Sequence, residues 1–277
     1  MRGRYSIVLL LFLGIVSGCS SFKERSGYWV DDRYPAKGNE PRIQTLIFHY
    51  TAENADVSLK VLTGDRVSSH YLVDRVPQEV SGKPVVLQLV PESQKAWHAG
   101  ASFWRGQSRL NDTSIGIEIV NWGYRNTPGV EPWEPYTEQQ IELLIALSQD
   151  IVQRYGIRPE NVLGHSDVSP QRKVDPGPLF PWERLARAGI GAWPDSRVVS
   201  ERLKIRREQP TVSVVELQDS LRRYGYEVSD SGRLDEQTRS AVRAFQMHFR
   251  PANYSGEPDA ETIAILDALL IKYHDGI

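Results

Sequence analysis

Between Gly164 and Pro178 the sequence reads GHSDVSPQRKVDPGP, bringing His165, Asp167, Lys173 and Asp175 into one short segment. Pro170, Pro176 and Pro178, with Gly164 and Gly177, set it against helix and central strand, so a loop is expected. An imidazole, two carboxylates and an ammonium are the parts of a metal-assisted hydrolytic site. Charged loops are usually only solvated, and a His and an Asp ten positions apart match no local ligand spacing. The segment therefore needs support from elsewhere in the chain.

Two other stretches offer it. Ile43 to Thr51, IQTLIFHYT, is apolar on both alternating faces and reads as a strand in the middle of a sheet, ending in His49. A histidine at that end suits a site, and it equally suits a hydrogen-bonded core histidine. In Asn111 to Asn121, NDTSIGIEIVN, a strand carries Ile115, Ile117 and Ile119 on one face and Gly116, Glu118 and Val120 on the other. A carboxylate there needs a partner to be buried. Burial raises its pKa toward the range of a general base, whereas a nearby cation lowers it. Trp97-His98-Ala99-Gly100 reads as a loop that fits sugar or peptide recognition and loop anchoring equally, and His70 reads as a core histidine.

The elements that must position these residues alternate. Val57 to Leu62 and Pro181 to Ala188 are short helices, and Ser69 to Val73, Val85 to Val90 and Val162 to Leu163 are strands. Thr137 to Tyr155 is the clearest helix, opened by a Thr137/Gln140 capping box and closed by Gly156. This pattern implies an α/β or α+β domain from about Arg42 to Trp193. Pro194 to Pro210 is charged and reads as an irregular linker, spanning 194–211. Beyond it, three helical faces make a small all-α domain over 212–277: Leu217, Leu221 and Tyr224; Ala241, Val242, Phe245 and Phe249 after Asp235; Ile263, Leu266 and Leu270 after Asp259.

A net charge of −2 over 277 residues, with no Lys/Arg-rich run, argues against a nucleic-acid partner. At the N-terminus Arg2 and Arg4 precede the apolar run Ile7 to Val16, an export signal too short for the ~20 residues of a bilayer span. Val16-Ser17-Gly18-Cys19 is similar to a bacterial lipoprotein box, and Cys19 is the chain's single cysteine. The expectation is a signal peptide over 1–18, lipid on Cys19, and a tether over 19–41 whose polar segment Ser21 to Glu40 reaches at most about 75 Å when fully extended. By likeness to Gram-negative lipoproteins, Ser20 after the cysteine points to the outer membrane, facing the periplasm. Disulfides and cysteine ligands are excluded.

Four motifs, in order, carry a resemblance: Phe48-His49-Tyr50-Thr51, Ser114-Ile115-Gly116-Ile117-Glu118, Gly164-His165-Ser166-Asp167 and Lys173-Val174-Asp175-Pro176-Gly177. Together they resemble the zinc-dependent N-acetylmuramoyl-L-alanine amidases of the type 2 family, whose fold is shared with bacteriophage T7 lysozyme and the peptidoglycan recognition proteins. The resemblance implies a mixed central sheet flanked by helices and one Zn2+ on His49, His165 and Asp175. It further implies Glu118 and Lys173 as the catalytic pair, and Trp97, His98 and Asn111 near substrate. The bond cut would join the lactyl group of N-acetylmuramic acid to the L-Ala of the stem peptide, in peptidoglycan or muropeptides. Asp167 falls at no ligand position and is expected to orient His165 or cap the loop. The C-terminal part resembles a three-helix peptidoglycan-binding domain, with Asp235 where that family has a glycine. A monomer is expected.

Two competing readings follow. A non-catalytic wall receptor on the same fold would lack a zinc ligand, whereas all three positions are filled here. A zinc D,D-carboxypeptidase needs Ser-x-His-x-x-Gly and a later His-x-His. Ser68-Ser69-His70-Tyr71-Leu72-Val73 lacks the glycine, and no His-x-His occurs.

Overall fold

The computed structural model of the chain describes residues 22–126, 131–208 and 213–274. The export signal and Cys19 lie outside these residues. Among the described residues no helix is long and apolar enough to cross a membrane. The chain forms two compact units, Met1–Glu40 and Pro41–Ile277.

In the first unit, β1 (Phe22–Arg25) and β2 (Tyr28–Asp31) pair antiparallel across a turn in which Gly27 takes φ +85°. The expected tether is therefore not extended throughout, because a glycine free to take positive φ closes a two-stranded hairpin from Phe22 to Asp31.

The second unit runs β3 (Thr45–Tyr50), α1 (Ala55–Leu62), β4 (Tyr71–Val73), β5 (Glu79–Val80), β6 (Lys83–Pro84), β7 (Leu87–Gln88), β8 (Phe103–Trp104), β9 (Gln107–Ser108) and β10 (Ser114–Ile119). There follow α2 (Glu138–Tyr155), β11 (Val162–Gly164), α3 (His165–Val168), α4 (Trp182–Arg187), α5 (Ser196–Glu208), α6 (Val214–Tyr224), α7 (Glu236–Phe249) and α8 (Ala260–Tyr273). A five-stranded mixed sheet has the order β11-β3-β10-β4-β7, parallel except for β7.

Strand parity divides the sheet into a packing face and a chemical face. Leu46 and Phe48 pair with Ile115 and Ile117, and these four join Leu144, Ile151, Trp182 and Leu185 in the core beneath α2 and α4. Phe48 meets Phe180 at 4.9 Å and Trp182 at 5.8 Å between ring centres. Burying each such side chain contributes about 1.5–3 kcal/mol. On the opposite face Ile47 pairs with Gly116 and His49 with Glu118. Helix α2 begins with the expected capping box, both bonds present, and ends at Gly156 in the left-handed conformation.

Two expectations are corrected. Within the expected irregular linker, residues 194–208 are not irregular: Asp195 Oδ1 accepts the amides of Arg197 and Val198, and α5 follows. Arg206 then forks onto Asp267 of α8 at 2.9 and 3.0 Å, a tertiary partner its own stretch does not reveal. Similarly, the expected loop after β11 begins with α3, a single helical turn capped by Asp167.

Helices α6, α7 and α8 form where expected, each N-capped, by Ser213, Asp235 and Asp259. They share one continuous core with the sheet domain, which runs from Ile47, Trp104 and Leu163 through Tyr224, Tyr226 and Phe245 to Leu266. Trp104 sits edge-on to Tyr224 and Tyr226, 5.9 and 5.0 Å away.

Candidate active site

Three adjacent parallel strands, β11, β3 and β10, end together, and the C-terminal edge of such a sheet is where backbone and side chains open into a crevice. His165 follows β11, His49 closes β3, and Glu118 lies beside His49 in β10. The loop after α3 returns Lys173 and Asp175 to the same edge. His49, Glu118, His165, Lys173 and Asp175 all line one cleft of about 410 Å³, with Trp97, His98 and Arg172.

The Nδ1 atoms of His49 and His165 stand 3.0 Å apart, and Asp175 Oδ2 is 3.1 Å from each. All three residues are buried. Their hydrogen-bond partners fix the tautomers. Ala99 C=O can only accept, so the 3.1 Å contact puts the His165 proton on Nε2 and leaves Nδ1 with its lone pair. For His49 the logic runs through two residues. Ser114 donates its hydroxyl to Leu110 C=O at 2.6 Å, so its oxygen accepts from His98 Nε2 at 3.1 Å. His98 Nδ1 is thereby an acceptor and takes the His49 Nε2 proton at 3.0 Å. Burial also pushes the His49 pKa down to about 4, with the neighbouring His165 adding to it and Asp175 opposing. His49 is thus neutral, and each ring aims its Nδ1 at the same point as a carboxylate oxygen.

Three electron-rich atoms with no proton between them repel unless a cation joins them, and this group could hold a metal ion. A triangle of these edges has its centre about 1.8 Å from each corner, inside the ~2.0–2.2 Å of zinc bonds to nitrogen and oxygen, so three ordinary bonds fit. Burial would raise the Asp175 pKa, and it is held well below its usual range whenever His165 or His49 carries a positive charge beside it.

Glu118 departs in the other direction. Burial, then the Asp175 charge, raises its pKa to about 8, with Lys173 pulling the other way. Its Oε2 is buried without a hydrogen-bond partner among the described residues, beside the cleft. An unpaired acceptor of that basicity is what proton transfer needs.

Trp97 is half exposed at the cleft rim, while His98 is buried behind His49. Asn111 does not line the cleft: its Oδ1 accepts the amides of His98 and Ala99 at 3.1 and 2.8 Å and so shapes their loop. Asp167 caps α3 through the Gly164 amide at 2.8 Å and makes no bond to the His165 ring. His70 is a core histidine, accepting the Gly116 amide and meeting Gln94 C=O. Sequence reading missed Ser114, Arg172 and the part played by Gly116. A Cβ on Gly116 would lie 2.5 Å from the His98 ring, so glycine makes room for the relay behind His49. The signal was available, since a glycine inside a buried strand marks a close approach.

With this geometry in hand, comparison with known proteins gives the class. Residues 39–178 match the N-acetylmuramoyl-L-alanine amidase family and residues 211–266 a peptidoglycan binding domain. The chain belongs to the N-acetylmuramoyl-L-alanine amidase family and is an enzyme of that activity. It is 52% identical to N-acetylmuramoyl-L-alanine amidase AmiD of Escherichia coli (strain K12) over 262 residues, 94% of this chain and 95% of that protein. A solved complex of that E. coli enzyme with the substrate anhydro-N-acetylmuramic acid-L-Ala-D-gamma-Glu-L-Lys matches with a TM-score of 0.86, covering 91% of this chain and 98% of the other. AMPDH3 from Pseudomonas aeruginosa, solved with anhydromuramic pentapeptide, is 40% identical with a TM-score of 0.81, covering 88% and 97%.

Proposed function

We propose that this amidase uses one zinc ion on His49, His165 and Asp175 to hydrolyse the amide between the lactyl group of N-acetylmuramic acid and L-Ala. Its substrates are peptidoglycan or muropeptides released from it. The observation that carries the reading is the triangle of two Nδ1 lone pairs and one carboxylate oxygen at 3.0–3.1 Å. Two neutral imidazoles and one carboxylate suit zinc, with a fourth position left for water.

When bound, zinc supplies Lewis acidity that brings the pKa of water toward neutrality and polarises a carbonyl. Glu118, with its free Oε2 in the cleft wall, takes the proton of the attacking water and returns it to the departing L-Ala amine. The Lys173 ammonium, lining the same cleft, opposes the negative charge that gathers on the carbonyl oxygen. Trp97 at the rim offers an aromatic face to sugar or peptide. The substrate solved with the E. coli relative and the anhydromuramic pentapeptide solved with the Pseudomonas relative both carry an anhydro sugar, which supports released fragments among the substrates of this chain.

Lipidation of Cys19 would tie the enzyme to the periplasmic side of the outer membrane. Metal analysis of the purified chain with mass spectrometry of digested muropeptides tests the reading. Near-stoichiometric zinc and a stem peptide with free N-terminal L-Ala support it, whereas release of D-Ala with the lactyl amide intact would replace it.

A further inference from the structure

Helix α3 is one turn long, too short to hold its own position, and each of its four residues is tied from outside. His165 reaches Ala99 C=O through its ring, and the Ser166 amide donates to the backbone carbonyl of Asp175 at 2.8 Å. The turn thus carries one side of the triangle and steadies another. Val168 joins the core shared with Leu217, Tyr226 and Phe245.

Asp167 supplies the remaining tie. Its carboxylate is 1% exposed. Oδ2 accepts the Gly164 amide and His248 Nδ1, each at 2.8 Å, and Oδ1 accepts the Tyr226 hydroxyl at 2.6 Å. Two of its three donors therefore come from the C-terminal helical module. His248 lies between Trp182 and Phe249, stacked at 3.7 and 3.9 Å, and its Nε2 has no partner among the described residues. The polar bond this ring makes is the one to Asp167.

A buried carboxylate keeps its place only while its donors remain, since holding it buried without hydrogen-bond partners costs free energy that a move toward water recovers. Releasing Asp167 would free the Gly164 amide at the start of α3 and let the turn shift. We infer that Tyr226 and His248 are positioning residues for the metal-holding turn, acting through Asp167. The helical module is a working part of the hydrolytic site, and the face that carries Tyr226 and His248 is committed to that role. This rests on the zinc reading of His49, His165 and Asp175.

The test uses Tyr226→Phe, His248→Phe and the double variant in the otherwise complete chain. The first removes one oxygen, and the second keeps an aromatic ring in the stack. Zinc affinity by chelator competition, kcat and KM on a defined muropeptide at saturating zinc, and melting temperature are measured together. Each single variant should weaken zinc binding about threefold to tenfold and the double variant about 10- to 100-fold, the range seen when outer partners of metal ligands are lost. kcat should fall with KM within about twofold of the parent, since the contacts act on the turn and not on substrate. A lower melting temperature with parental zinc affinity and kcat would overturn the inference, as would a raised KM at unchanged kcat. Should His248→Phe not fold, Tyr226→Phe alone decides. A parent chain that neither holds zinc nor cleaves the lactyl amide would sink both readings, whereas a normal parent with unaltered variants sinks this one only.

Discussion

Glu118 and His49 are register partners on adjacent parallel strands, so their side chains leave the same face of the sheet at the same level. The pairing puts the basic carboxylate beside the metal-holding triangle and leaves its Oε2 without a hydrogen-bond partner among the described residues. A proton acceptor and a metal ligand are thereby set by backbone pairing, which is stiffer than any loop.

The first expectation separates their roles. Glu118→Gln should lower turnover by about 10²- to 10⁴-fold while zinc stays bound. His49→Ala, His165→Ala and Asp175→Ala should lose metal and activity together. Turnover assays with metal analysis on the same preparations check this, and parental turnover in Glu118→Gln would remove its assignment as the base.

The same residue should control stability in chelated, metal-free protein. Glu118 has a folded pKa of about 8 against an ordinary 4.5, so the unfolded chain ionises first and stability falls as pH rises between them. His49, lowered from 6.5 to about 4, acts oppositely, but its contribution is complete above 6.5. From pH 6.5 to 8 the net slope should therefore be downward, by at most about 1.4 kcal/mol per pH unit. Urea unfolding across that window should show the slope in the parent and a flat profile in Glu118→Gln.

The relay behind His49 makes His98 a positioning residue. His98→Ala leaves the His49 Nε2 proton without an acceptor and should weaken zinc binding about 10- to 100-fold. Asn at the same position, with Oδ1 near the former Nδ1, should restore part of the loss. Gly116→Ala should reproduce it with His98 still present, because the new Cβ occupies the ring's space. Chelator competition measures all three, and parental affinity in His98→Ala would refute the relay.

Cys19→Ser should move the protein from the membrane to the soluble fraction. Fractionation followed by detergent-free washing is the measurement, and continued tight association would argue against the lipid anchor.

Much of the site was legible because its residue types are chemically scarce in their surroundings. A glutamate among isoleucines in a strand, a histidine closing a buried strand and a charged loop broken by prolines each conflict with simple core or simple surface, and such conflicts mark function. Helix α2 was equally legible, because its cap, its periodic stripe and its terminal glycine are all local. Three things were not. Asn111 faces loop amides and not the cleft, a matter of side-chain direction that spacing does not encode. Helix α5 is steadied by Asp267, which lies 61 residues from Arg206 in sequence. The commitment of Tyr226 and His248 to Asp167 depends on packing the module against the sheet. Local rules of period, capping and turn chemistry determined which elements form and which residues carry charge. Tertiary structure decided which lone pairs converge, since tautomer, burial and register arise only when distant segments meet.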